Sequence, residues 1–78
     1  MNVIRKGWIG VDDYVKFGKL LDALEERGAI NFIYTPRRGQ VVAVFRRADF
    51  EKAKHIAFPQ PEERIKVNKN LVFVFFKV

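Results

Sequence analysis

The stretch from Ala29 to Arg46 constrains the fold more than any other part of this chain. Two apolar runs, Ala-Ile-Asn-Phe-Ile-Tyr-Thr and Gln-Val-Val-Ala-Val-Phe-Arg, are joined by Pro36-Arg37-Arg38-Gly39. β-Branched and aromatic residues fill both runs, Pro36 restricts its own φ, and Gly39 accepts the positive φ that closes a short connection. The pattern predicts a β-hairpin with helical segments on either side.

From Asp12 the apolar period becomes helical. Tyr14, Phe17, Leu21 and Leu24 share one face, Leu20 flanks it, and Lys16, Lys19, Asp22 and Glu26 fall mostly opposite. Asp12 and Asp13 suit the N-terminus of a helix, and Arg27 and Gly28 suit an end near Arg27. Beyond the hairpin, Arg47-Ala48-Asp49 marks a second start with Asp49 as N-cap, and Phe50, Ala53, Ile56 and Ala57 make a short stripe. Pro59 disfavours helix at Phe58, so this helix is expected to stop about there, before a loop over Pro59-Gln60-Pro61-Glu62-Glu63. Asn2 to Gly10 is expected to be a strand interrupted near Gly7. At the far end, either Arg64–Val67 and Leu71–Val78 pair around Asn68-Lys69-Asn70, or only the second run is a strand; the pattern favours the second run alone.

The resulting order, β-α-β-β-α-β, predicts an α+β fold of the ferredoxin-like kind in one domain over residues 1–78. Such a fold is a two-layer sandwich with an antiparallel sheet in strand order 4-1-3-2 and two helices on one face. The final strand carries Val72, Val74, Phe76 and Val78 on one side and Leu71, Phe73, Phe75 and Lys77 on the other. A strand apolar on both faces is an aggregation hazard at an edge, so its outer face is expected to be covered by a partner chain or a ligand.

With 78 residues, 49% of them hydrophobic and eight of them Phe, the chain has material for one small core. It has no Cys, which excludes disulfides, thiolate metal sites and a cysteine nucleophile and points to a cytoplasmic setting. No charged start leads into an apolar stretch of signal-peptide length, and Leu71–Phe76 is too short to span a bilayer. The lack of Ser, beside many Lys, Arg, Glu, Ile and Val, leans towards a thermophile.

Catalytic chemistry has little to draw on. His55 is the sole histidine; Glu51, one turn earlier, is placed to orient it, but no nucleophile stands beside them. A lone His with scattered Glu makes no metal site, the adjacent pairs Asp12-Asp13 and Glu62-Glu63 diverge, and Gly7 and Gly10 lack dinucleotide-loop spacing. The expectation is a protein that is not an enzyme and uses no cofactor or metal.

The net charge of +6 is unevenly spread: residues 29–47 hold Arg37, Arg38, Arg46 and Arg47 with no acid, whereas the first helix is acidic. Such a field attracts phosphate polymers or acidic partners; its other reading is that Lys and Arg solubilise strand edges. A sheet face lined with aromatics and rimmed by cations stacks unpaired bases and neutralises their phosphates. The residues nominated for that interface are Arg5, Lys6, Trp8, Arg37, Arg38, Phe45, Arg46, Phe73, Phe75 and Lys77, with Tyr34 and Lys69 also in the pool.

Arg38-Gly39-Gln40-Val41-Val42-Ala43-Val44-Phe45, followed by Asp49-Phe50-Glu51-Lys52-Ala53, resembles the third strand and second helix of an RNA-recognition motif. Gln40 and Val42 stand where that family usually carries its other aromatics. Extended back through Leu20–Asn31, the region is also similar to ACT domains, a resemblance that implies pairing through the sheets and often amino-acid binding. The Pro-Gly step of that family's ligand site has no counterpart, Gly18 being the nearby glycine. The leading expectation is therefore a small basic binder of RNA or single-stranded DNA. The alternatives are a dimerising ACT-like regulatory or ligand-binding module, and a small protein that binds and inhibits a larger acidic partner.

Overall fold

In the computed structural model, which describes residues 2–4 and 11–78, the elements are β1 (Asn2–Ile4), α1 (Val11–Glu26), β2 (Ala29–Thr35), β3 (Gln40–Arg46), α2 (Arg47–Ala53), β4 (Arg64–Asn68) and β5 (Leu71–Lys77). The hairpin forms as its residues dictate. Pro36–Arg38 make a single 3-10 turn, Gly39 takes φ 56°, and its N–H donates to the Pro36 carbonyl at 3.1 Å. The same Gly39 accepts from Val78 N–H at 2.8 Å, so β5 ends against the hairpin tip.

The class is α+β with an antiparallel sheet and two helices, but the strand order corrects the ferredoxin-like expectation. Among the described residues the order is β1-β2-β3-β5-β4. The place beside β3 that the expected topology assigns to the first strand is taken by β5, in register from Gln40↔Lys77 to Arg46↔Leu71. The reason is polarity: β5 is apolar on both faces and gains most from an interior slot. β1, with three residues, pairs instead on the outside of β2. The expected strand reaching Gly10 is described only to Ile4; the rest lies outside the described residues.

A second correction concerns Arg64–Asn68, which does form a strand. It pairs with β5 from Arg64↔Phe75 to Asn68↔Leu71 across a two-residue turn, where Lys69 adopts φ 55°. β5 is thus flanked on both sides, and its edge is not free.

α1 buries Phe17, Leu20, Leu21 and Leu24, and α2 buries Phe50 and Ala53, against Phe32, Val41, Ala43, Phe45, Val72, Val74 and Phe76. Strand alternation puts those sheet residues on one face. Phe45 and Phe76 are fully buried, each worth about 1.5–3 kcal/mol relative to exposure. Phe58 closes the layer, 5.6 Å from the Phe76 ring and 6.3 Å from Phe45.

α1 ends as expected: Gly28, at φ 105°, donates to the Glu25 carbonyl at 3.0 Å. Arg27 donates to the carbonyls of Ala23 and Ala57, each at 3.0 Å, tying the end of α1 to the segment after α2. α2 is shorter than expected, because the chain must leave the helix for Phe58 to reach the core, and Ile56 remains 62% exposed. Arg46 occupies the N-cap position in place of Asp49, which lies in the first turn and pairs with Arg46 at 3.9 Å.

A Cβ on Gly39 would sit 3.0 Å from the Val78 carbonyl oxygen in a left-handed conformation. Gly39→Ala is expected to lower stability by about 1–2 kcal/mol, read as a lower urea midpoint with an unchanged m-value.

Candidate functional site

The sheet face turned away from the helices carries the most coherent chemistry. One row across it runs Ile33, Val42, Phe75, Arg64, and the next runs Asn31, Val44, Phe73, Lys66. Arg46 opposite Leu71 bounds these rows at one end, and Gln40 opposite Lys77 at the other. Val42 and Val44 are 3% and 7% exposed, whereas Ile33, Leu71, Phe73 and Phe75 are half-buried. Arg46, Arg64, Lys66 and Lys77 are exposed, and among the described residues no strand position of this face holds an acid. The period-2 alternation of β4 separates Arg64 and Lys66 from Ile65 and Val67, which point to the helix side.

The Arg64 guanidinium carbon lies 4.1 Å from the centroid of the Phe75 ring. Phe75 is therefore covered by a cation, while Phe73 has Lys66 as its cross-strand neighbour. Both aromatics stand on β5 two residues apart, about 7 Å along the strand.

The nominated residues divide by place. Phe73, Phe75, Arg46 and Lys77 belong to this face. Arg37 and Arg38 are exposed on the 3-10 turn at the hairpin tip. Phe45 is a correction: it is fully buried beneath the helices, 5.9 Å from the Phe50 ring, and has no surface to offer a ligand. Tyr34 also lies on the helix side, its ring 4.9 Å from Phe17. Arg5, Lys6 and Trp8 lie outside the described residues. Arg64 and Lys66 were missed by sequence reasoning; the signal that would have found them is the short turn at Lys69-Asn70, which brings β4 onto β5.

The chain matches no protein-family model, no curated protein and no solved structure. The local resemblances to RNA-recognition motifs and ACT domains cover the hairpin and its flanking helices, and the strand order around them differs from the one they imply.

The Glu51 carboxylate meets Lys54 Nζ at 2.7 Å, and that hydrogen bond and charge hold it below the usual carboxylate range. Among the described residues no group of three His, Cys, Asp or Glu gathers to hold a metal, and no helix is long and apolar enough to cross a membrane.

On the helix side, the Tyr34 hydroxyl donates to Asp13 at 3.3 Å. Burial pushes its pKa above the ordinary value of 10.0, and the Asp13 charge and hydrogen bond push the same way. Above pH 10 the unfolded chain loses this proton first, so stability present at lower pH is lost as pH rises through the folded value. Tyr34→Phe is expected to flatten the fall in urea midpoint on the alkaline side of pH 10, measured against wild type in a pH series.

Proposed function

We propose that this chain is a small basic binding protein, without catalysis, that engages RNA or single-stranded DNA through the open face of its sheet and the Arg37-Arg38 tip. The observation that carries this reading is the pairing of Phe73 and Phe75 with Arg46, Arg64, Lys66 and Lys77 on one face with no acid among its described strand positions. Phe73 offers its ring to a base directly. At Phe75 the base meets the Arg64 guanidinium, which stacks on bases as aromatic rings do. The cations around them neutralise phosphates.

A homodimer joined through the same face is the second reading, favoured by the apolar row Ile33, Val42, Phe75. It brings Arg64, Lys66 and Lys77 of one copy towards the cations of the other across described strand positions that supply no acid, whereas a polyanion removes that repulsion. The charge arrangement therefore favours nucleic acid.

The test is fluorescence anisotropy with labelled single-stranded and duplex oligonucleotides across a salt series. Log affinity for single strands is expected to fall by about 0.7 per phosphate contact for each decade of salt. Phe73→Leu, which removes the ring at one base position, and Arg64→Gln, which removes the guanidinium at the other, are expected to weaken single-strand binding by about 1–3 kcal/mol per lost stack, with unchanged far-UV circular dichroism. Equal affinity for duplex and single strand, insensitive to both variants, would reduce the protein to a nonspecific cation. No binding at low salt, with twice the monomer mass in light scattering, would favour the homodimer.

A further inference from the structure

We infer that the bound strand continues past the end of β5 into a second basic groove, where Lys16 and Lys19 of α1 hold its phosphates. The inference rests on the nucleic-acid reading above and extends its footprint to the helix side. The groove has a volume of about 470 Å³ and is lined by Lys16, Phe17, Lys19 and Leu20 of α1 together with Gln60 and Lys77. Phe17 and Leu20 are 6% and 5% exposed, whereas the lysines of α1 are open to solvent. Among the described residues no Asp or Glu lines it.

Lys77 joins the two surfaces. It stands opposite Gln40 at the end of the open face and also borders the groove. Its backbone is held there: the Lys77 carbonyl accepts from Gln60 Nε2 at 2.7 Å, and the next residue donates to Gly39 at 2.8 Å. That last bond sets the end of β5 beside the turn that carries Arg37 and Arg38. A cationic path thus leads from the open face around the end of the sheet to α1.

The occupant follows from the kind of cation present. Exposed lysines hold a free anion weakly, because water and salt screen the charge. A phosphate tethered to bases already on the sheet arrives at a high effective concentration, so the same lysines suffice for it. The groove therefore suits an extension of one strand better than an independent small ligand.

The experiment compares wild type with Lys16→Gln/Lys19→Gln on single-stranded oligonucleotides of 4 and 12 nucleotides in a salt series. On the 12-mer, the double variant is expected to lose about 1.4 from the salt slope, two contacts at about 0.7 each. The ratio of wild-type to variant affinity then falls roughly sevenfold between 50 and 200 mM salt. On the 4-mer the two proteins are expected to bind alike. Wild-type binding with equal slopes for both proteins on the 12-mer overturns the extended footprint and leaves the open face standing. A wild type that binds no strand overturns both. If inorganic phosphate shifts the Phe17 and Lys19 amide resonances in wild type alone while 12-mer slopes stay equal, the groove serves a free anion and the inference falls. Both substitutions are at exposed helix positions, and far-UV circular dichroism checks that α1 persists.

Discussion

The pairing of β3 with β5 is the constraint on which the rest of the structure depends. β5 presents Val72, Val74 and Phe76 to the helices and Leu71, Phe73 and Phe75 to the other side, so neither of its faces tolerates full exposure. An interior position, in register with β3 over its whole length, satisfies its backbone and surrounds its side chains. Once it is there, β4 covers its other edge through a two-residue turn, and β1 is left to the outside of β2. The helices then pack where β2, β3 and β5 together offer a continuous apolar surface. Arg27 ties the end of α1 to the segment after α2.

The same alternation that builds the core builds the open face. Each residue sent under the helices leaves its neighbour on the opposite side, so the burial of Val41, Ala43 and Phe45 places Val42 and Val44 beside Phe73 and Phe75. β4 contributes cations because its charged residues alternate with Ile65 and Val67 in phase with β5. The apolar strip and its basic border thus come from one register, and a one-residue slip of β4 would send Arg64 and Lys66 to the helix side.

Much of the local structure was legible in advance. The hairpin turn was marked by Pro36 and Gly39, whose backbone preferences match the turn they occupy. α1 was marked by a strong helical period between acids at its start and a glycine at its end. α2 was legible only in part, since Ile56 continues its stripe while the pull of Phe58 towards Phe45 and Phe76 ends the helix earlier. β4 was hard to see because its alternation of charge with apolar residues carries a weak signal until a neighbouring strand supplies the partner.

Sequence alone determined which residues share a face, since period 2 or 3.6 is a property of the local backbone. It likewise determined the excess of positive charge and the absence of thiol chemistry. It did not determine which face of β5 the helices would cover, because Leu71, Phe73 and Phe75 are as apolar as Val72, Val74 and Phe76. That choice removed Phe45 from the candidate interface and kept Phe73 and Phe75. Nor did it determine the strand order, which depends on a competition among strands far apart in the chain for the place beside β3. Only the tertiary structure decides such a competition, because the free energy of each pairing lies in the burial that all the other pairings make available.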